Sequence, residues 1–173
     1  IHFPLSLGVL LAYLRKNNFE IELWDYNVEK FTEESFAERL KEAKPEVIGL
    51  AATTPAIKSA HKLASLIKKH SPQTLTVIGG PHIDALPEQT MREFPNFDIG
   101  VYGEAEETFL DLCKRIKEKK PLDGCLGILH RQNEKIKKEQ SRPLIESLDT
   151  LPYAARDIVD FNNYKKAHVE RGL

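Results

Sequence analysis

Three short segments carry the residue types that could bind a ligand, and each follows an apolar run that predicts a strand. The first is Gly79-Gly80-Pro81-His82 after the run 74–78, the second is 53–55 after 47–51, and the third is 103–106 after 98–102. The carboxyl ends of parallel strands meet at one edge of a sheet, and ligands of open α/β folds bind there. We therefore predict that the three segments form one pocket.

The adjacent glycines of the first segment allow two interpretations. Gly79 and Gly80 could simply form a tight turn, since glycine adopts conformations that other residues avoid. They could also form a floor under a flat ligand, because a backbone without Cβ atoms can be approached closely. His82 could bind a metal or hydrogen-bond a ligand amide, although a single loop histidine is more often only part of a polar lining.

The other two segments combine helix-start signals with possible ligand contacts. Thr53 and Thr54 precede a proline and predict a capped helix start, and their hydroxyls would face the same pocket. Glu104 and Glu106 open the next predicted helix, where acids complement the helix dipole and would repel a phosphate. These glutamates either only cap the helix or also contact the ligand.

Motifs for demanding chemistry are absent from the sequence. There is no GxGxxG, GxxxxGK[ST], HExxH or GxSxG pattern, and the six histidines have no ligand spacing. The two cysteines, Cys113 and Cys125, form neither a disulfide framework nor a cluster motif, which favours a reducing, cytoplasmic location. If the protein takes part in catalysis, we expect a cofactor to supply the chemistry.

Composition excludes some classes of partner. The 173 residues include 25 basic and 26 acidic side chains, 41% are hydrophobic and 29% are charged. A net charge of −1 argues against nucleic acid or an acidic membrane surface as the partner. No apolar run is long enough to span a membrane and no signal peptide is recognisable. The sequence does not begin with Met, so we expect a fragment of a longer chain.

The order of predicted elements indicates an α/β fold with a parallel sheet and helices on both faces. The predicted strands are 20–24, 47–51, 74–78 and 98–102, and the predicted helices are 9–17, 33–43, 53–70, 88–94 and 104–119. After Pro121 the pattern changes to a β-hairpin, with strands 126–131 and 135–138 joined by 132–134. From residue 142 we expect an extended linker. The predicted divisions are a ligand-binding domain at 1–122, a hairpin appendage at 123–141 and the linker at 142–173.

Several of these segments together resemble a known family. The segments are Pro4-Leu5…Gly8, Ala52-Thr53-Thr54-Pro55, Gly79-Gly80-Pro81-His82, Gly103-Glu104-Ala105-Glu106-Glu107-Thr108-Phe109 and Leu148-Asp149-Thr150-Leu151-Pro152-Tyr153-Ala154-Ala155-Arg156-Asp157. In this order they resemble the amino-terminal cobalamin-binding domain of cobalamin-dependent radical SAM enzymes. That family includes methyltransferases and the anaerobic magnesium-protoporphyrin monomethyl ester cyclases, and the resemblance covers nearly the whole chain.

The resemblance implies a flavodoxin-like, Rossmann-like fold that holds cobalamin across the carboxyl ends of its strands. It places the corrin ring over loops at Leu5–Gly8, Thr53–Pro55 and Gly103–Glu106. It places the nucleotide tail in a crevice floored by Gly79 and Gly80. The resulting set of cofactor-binding residues is Leu5, Gly8, Thr53, Thr54, Pro55, Gly79, Gly80, Pro81, His82, Gly103, Glu104, Ala105 and Glu106.

Three differences from the family and its relatives qualify this implication. The family's first strand is missing or reduced to 1–3, and the CxxxCxxC motif that binds the 4Fe–4S cluster is absent. We therefore expect the cluster, S-adenosylmethionine and catalysis to belong to a radical SAM barrel outside this chain. The D-x-H-x-x-G motif of cobalamin mutases and methionine synthase is also absent, so we expect base-off cobalamin with no protein histidine on cobalt.

Two other functions remain compatible with such a fold, since one architecture serves many functions. One is a flavin-binding electron carrier, although the loops lack the Ser/Thr-rich phosphate cradle expected for FMN. The other is a regulatory domain without a cofactor, although the clustered acids of a receiver domain are missing near Pro4.

Overall fold

The computed structural model describes residues 2–133 and 135–170. Ile1, Glu134 of the predicted hairpin turn and the last three residues of the predicted linker lie outside the described residues. Within the described residues, no helix combines the length and the apolarity needed to cross a lipid bilayer.

The chain divides into two compact units. The terminal unit comprises Ile1–Thr32 and Glu146–Leu173, and the sheet unit comprises Glu33–Ile145. The domain boundaries expected from the sequence, at 122 and 141, stay a prediction.

The regular elements are seven α-helices and five strands within the described residues. The helices are α1 (Leu5–Lys16), α2 (Glu33–Ala43), α3 (Ile57–His70), α4 (Pro81–Ala85), α5 (Pro87–Glu93), α6 (Ala105–Lys117) and α7 (Phe161–Glu170). The strands are β1 (Val47–Ala51), β2 (Leu75–Gly79), β3 (Ile99–Val101), β4 (Ile128–Gln132) and β5 (Lys135–Lys138). Short 3₁₀ turns lie at Thr54–Ala56, Leu148–Thr150 and Arg156–Ile158.

The sheet unit confirms the predicted α/β fold. Its sheet has the order β1-β2-β3-β4-β5, with β1, β2 and β3 parallel and the β4–β5 hairpin antiparallel to β3. The hairpin therefore extends the same sheet. Parallel neighbours need a crossover, and α3 and the α4–α5 pair supply the two crossovers.

Side chains alternate between the two faces of the central strand, so that each face has its own core. Ile78 belongs to a buried cluster with Ala60 and Ala64 of α3. Its neighbour Val77 belongs to a second cluster with Leu112 of α6. Helices thus cover both faces, as the sequence predicts.

Strand β1 is less buried than its apolar run indicates. Among the described residues it pairs only with β2, so it lies at the edge of the sheet. Gly49 and Ala51 are consequently exposed, while the other residues of β1 are only half-buried. Apolar content alone could not distinguish an edge strand from a central one.

The hairpin is closed by a nearly buried ion pair. Glu139 Oε1 lies 3.0 Å from His130 Nε2 and 2.9 Å from Lys137 Nζ. Its second oxygen, Oε2, accepts a hydrogen bond of 3.0 Å from the Gly124 amide. The hydrogen bonds from His130 and Lys137 lower the pKa of Glu139 from 4.5 to about 2.

We expect Glu139→Gln to lower the free energy of unfolding at pH 7 by about 1–3 kcal/mol, because charged hydrogen bonds are lost. The folded-state pKa lies below the ordinary value of 4.5, so the stabilisation is complete above that pH and is lost as the pH falls toward 2. Urea unfolding at several acidic pH values should show that the free energy of unfolding falls less steeply with decreasing pH in the variant than in the wild type. The exposed carboxylate Glu118, changed to Gln, is the control and should leave the free energy of unfolding and its pH dependence nearly unchanged.

The terminal unit is held together by aromatic contacts. Phe3 lies 5.9 Å from Phe161 and 6.4 Å from Tyr164, measured between ring centroids. The Tyr164 hydroxyl donates a hydrogen bond of 2.8 Å to the buried Asp25 carboxylate. Burial and the contact with this carboxylate raise the pKa of Tyr164.

Two sequence predictions in the terminal unit are wrong. Residues 20–24 form no strand, although Ile21 and Leu23 are less exposed than Glu20 and Glu22, as the alternation predicts. A strand requires a ladder partner, and the described residues of this unit include no strand. The expected extended linker contains helix α7, which aromatic packing and the Tyr164–Asp25 hydrogen bond stabilise despite its two asparagines.

Candidate functional site

The three segments predicted to form one pocket follow the carboxyl ends of β1, β2 and β3 in the sheet unit. Backbone hydrogen bonds connect the first two. The Ala52 amide donates to Gly79 O at 3.0 Å, and the His82 amide donates to Ala52 O at 3.2 Å. These bonds continue the β1–β2 pairing beyond the strands, so the segments share one edge of the sheet.

Gly80 is required by the conformation of its own backbone. Its φ of 96° and ψ of −178° belong to a region that is essentially restricted to glycine. A Cβ at this position would also lie 3.1 Å from Ala52 O and 3.2 Å from Ala52 N. The turn interpretation therefore holds for Gly80, and the turn packs directly on the first segment.

Gly79 and Gly103 have open space where a side chain would be. A Cβ at Gly79 would meet only Val101 O, at 3.9 Å, and a Cβ at Gly103 would meet nothing within 4 Å. Glycine is not needed at Gly79 for a positive φ, since Gly79 is not among the residues with positive φ. The open edge has the exposed backbone that the floor interpretation requires.

His82 and Thr54 are hydrogen-bonded to each other. His82 Nδ1 lies 3.1 Å from Thr54 Oγ1, and His82 is only 6% exposed. The ring therefore packs inside the fold, where its centroid lies 6.3 Å from that of the Phe94 ring. Its place among the cofactor-binding residues stays a prediction, in which it acts by holding Thr54.

The threonine cap predicted for the next helix is also different in the structure. Thr53 occupies the cap position before the 3₁₀ turn at Thr54–Ala56, but its side chain makes no capping hydrogen bond. The Thr54 hydroxyl is occupied by His82. Thr53 and Pro55 are exposed at the edge, so the Thr53 hydroxyl remains available to a ligand.

Glu104 has a role that neither sequence interpretation anticipated. Its Oε2 accepts a hydrogen bond of 2.6 Å from the Ile145 amide, and it makes no capping bond to α6. Arg142 fixes the same exit segment to α6, with 3.1 Å from Nε to Thr108 Oγ1 and 2.9 Å from Nη2 to Asp111 Oδ2. Glu104 thus ties the chain that leaves the hairpin to the edge of the sheet.

A second carboxylate joins two of the predicted segments. Asp84 of α4 accepts a hydrogen bond of 2.8 Å from the Gly103 amide through Oδ1. Sequence reasoning missed this residue. The only available signal was its position in the sequence, two residues after the end of the Gly79–His82 segment.

Leu5 and Gly8, two further predicted site residues, belong to the terminal unit. They lie in the first turns of α1 rather than in a loop, because the Gly8 amide donates to Pro4 O at 2.9 Å. Leu5 is exposed, whereas a Cβ at Gly8 would lie 2.5 Å from the Phe3 ring. Their contact with a cofactor stays a prediction.

The charges of the three segments favour a neutral ligand over a phosphate. Residues 51–56, 79–85 and 102–106 contain no lysine or arginine, and they include Asp84, Glu104 and Glu106.

Ala105, another predicted site residue, contributes to the core under the start of α6. Among the described residues, no three His, Cys, Asp or Glu side chains form a group that could hold a metal ion.

A surface depression of about 380 Å³ lies elsewhere in the sheet unit, near the carboxyl ends of α2 and α3. Lys41, Lys44 and His70 are among its lining residues. Lys41 and His70 lie in the last turns of α2 and α3, where basic residues complement the helix dipole.

Comparisons relate the chain to known proteins. A family model described as the B12 binding domain matches residues 1–113. An uncharacterized methyltransferase of Pyrococcus horikoshii, PH0819, is 34% identical over 170 residues, which are 98% of this chain and 37% of that protein. The anaerobic magnesium-protoporphyrin IX monomethyl ester cyclase of Rubrivivax gelatinosus is 28% identical over 153 residues, which are 86% of this chain and 28% of that protein.

A solved structure has the same fold. The cobalamin-dependent S-adenosylmethionine radical enzyme OxsB, with aqua-cobalamin bound, aligns with a TM-score of 0.81 and 26% identity over 96% of this chain and 23% of its own. The chain thus spans 37% or less of the length of these relatives.

Proposed function

This chain belongs to the B12-binding domain family, and we propose that it holds cobalamin and presents the corrin to a separate radical SAM catalytic domain. The whole enzyme would carry out methyl transfer or cyclisation. This chain would not be catalytic alone. The 4Fe–4S cluster and S-adenosylmethionine would be bound by that catalytic domain, and the enzyme would work in the cytoplasm. Cobalamin, when bound, supplies the cobalt centre on which such chemistry depends.

One structural observation carries the proposal. At the carboxyl edge of the sheet, Gly79 and Gly103 expose backbone with open space above it, beside the exposed Thr53. The space suits a ligand that approaches the backbone closely, and the lack of lysine and arginine within the three segments suits a largely neutral one. Membership in the family adds independent support for cobalamin as that ligand.

The residues of this edge would have different roles in binding cobalamin. Gly79 and Gly80 would floor the crevice for the nucleotide tail, with Pro81 starting the helix behind it. Thr53 would offer a hydroxyl to the corrin amides, while Thr54, Pro55, Ala105 and Glu106 would shape the rim. His82 and Glu104 would act indirectly, through their bonds to Thr54 and Ile145.

The proposed cofactor state is base-off, with no protein histidine on cobalt. His82 supports this state, since it is buried and hydrogen-bonded to Thr54 instead of being exposed at the edge. A histidine ligand from this position would require the Thr54 bond to break and the ring to leave the core.

A binding experiment tests the proposal. We expect hydroxocobalamin to co-elute with the protein in gel filtration, with the absorbance of the corrin in the protein peak, and FMN to elute separately. Retention of FMN alone would indicate a flavin carrier, and retention of neither would indicate a domain without a cofactor. Electron paramagnetic resonance of the cob(II)alamin complex should show no nitrogen superhyperfine splitting, which would appear if an axial nitrogen bound cobalt.

A further inference from the structure

We propose that Asp84 is a further cobalamin-binding residue, which holds Gly103 through one carboxylate oxygen and accepts a hydrogen bond from a corrin amide through the other. The inference rests on the proposed function, and it adds a residue that the motifs at the three strand ends do not include.

The position of Asp84 is the first support for this role. Asp84 lies in α4, directly after Gly79 and Gly80, and its Oδ1 accepts the Gly103 amide at 2.8 Å. The bond joins the segments at the ends of β2 and β3, in which Gly79 and Gly103 have open space above them. Asp84 therefore lies at the same open edge as the proposed ligand.

The unused hydrogen-bonding capacity of the carboxylate is the second support. Asp84 is exposed, and its Oδ2 has no partner among the described residues. An ionised carboxylate is an acceptor only, with room for several hydrogen bonds. Glu104, another carboxylate of this edge, is already engaged by the Ile145 amide at 2.6 Å.

The chemistry of the corrin matches this free acceptor. The periphery of cobalamin carries primary amides, whose N–H groups are donors. A hydrogen bond to a charged acceptor is about twice as strong as a neutral one. By holding Gly103 at the same time, Asp84 would limit the freedom of a glycine with a φ of 75° at the rim of the site.

The test uses cobalamin monocarboxylic acids, in which one corrin propionamide is hydrolysed to a carboxylate. If Asp84 faces one of these amides, the matching acid places two carboxylates together and loses the donor. We expect the wild-type chain to bind that single isomer at least about tenfold more weakly than cobalamin, as for the loss of one charged hydrogen bond. The other isomers should bind nearly as well as cobalamin.

Asp84→Asn separates this contact from the anchoring of Gly103. Its amide oxygen can still accept from Gly103, while its NH₂ group can donate to a ligand carboxylate. We expect the variant to bind the discriminated isomer as well as the other isomers, a change that a purely structural role would not produce. Glu88→Gln removes a partly exposed carboxylate paired with Lys138 and is the control for net charge, with isomer discrimination retained.

The outcomes distinguish this inference from the proposed function. Cobalamin binding without discrimination among the isomers, or discrimination that persists in Asp84→Asn, would overturn the role of Asp84 alone. A wild-type chain that binds no cobalamin would overturn the proposed function and this inference with it.

Discussion

Gly79→Val is expected to leave the protein folded and to weaken cobalamin binding by at least about 100-fold, or about 2.7 kcal/mol. A Cβ at Gly79 would lie no closer than 3.9 Å to its nearest neighbour, Val101 O, and the residue does not have a positive φ. Valine also suits the end of a strand. Its two methyl groups would instead occupy the open space above the sheet edge, where the ligand must approach the backbone.

Isothermal titration with hydroxocobalamin and thermal unfolding check this prediction together. Gly79→Ala should give a smaller loss of affinity, because it adds a single methyl group. Gln73→Val places the same side chain before the opposite end of β2 and should bind cobalamin like the wild type. Wild-type affinity in Gly79→Val would show that the ligand does not use this crevice.

Gly80→Ala is expected to destabilise the fold itself, by about 2–4 kcal/mol. The strain has two sources. The φ of 96° and ψ of −178° are unfavourable for any residue with a Cβ. The new methyl group would meet Ala52 O at 3.1 Å and Ala52 N at 3.2 Å, and these backbone atoms cannot move independently of the β1–β2 pairing.

Gly103→Ala is the matched control for Gly80→Ala, since it also has a positive φ but no atom within 4 Å of the added Cβ. This variant should lower the free energy of unfolding only by the cost of the positive φ, about 1–2 kcal/mol. Urea unfolding of the two variants measures the difference. Equal losses of stability would contradict the claim that the Gly80 turn is packed against Ala52.

The sequence predicted the strand ends well because each carries a strong local signal. The apolar run before Gly79 marks a central strand, and β2 is indeed buried between β1 and β3. The parallel order of three strands then brings residues 53–55, 79–82 and 103–106 to one edge, and this follows from the βα repeat. The edge position of β1 does not follow from the βα repeat, since it depends on which strands pair with β1.

The hydrogen bonds that organise the edge could not be predicted in the same way. Gly103 bonds to Asp84 across 19 positions, and Ile145 bonds to Glu104 across 41. Periodicity describes which face of an element is apolar, and it contains no information about such long-range polar pairs. For the same reason the sequence could not show that His82 is buried and hydrogen-bonded to Thr54.

Chemical-shift mapping tests most directly whether cobalamin binds at the carboxyl edge of the sheet. We expect ¹H–¹⁵N spectra recorded during titration with hydroxocobalamin to show the largest changes at the amides of Gly79, Gly80 and Gly103, with little change at Val47, Leu75 and Ile99, which start β1, β2 and β3. Saturable binding with these three glycine amides unperturbed would contradict the account.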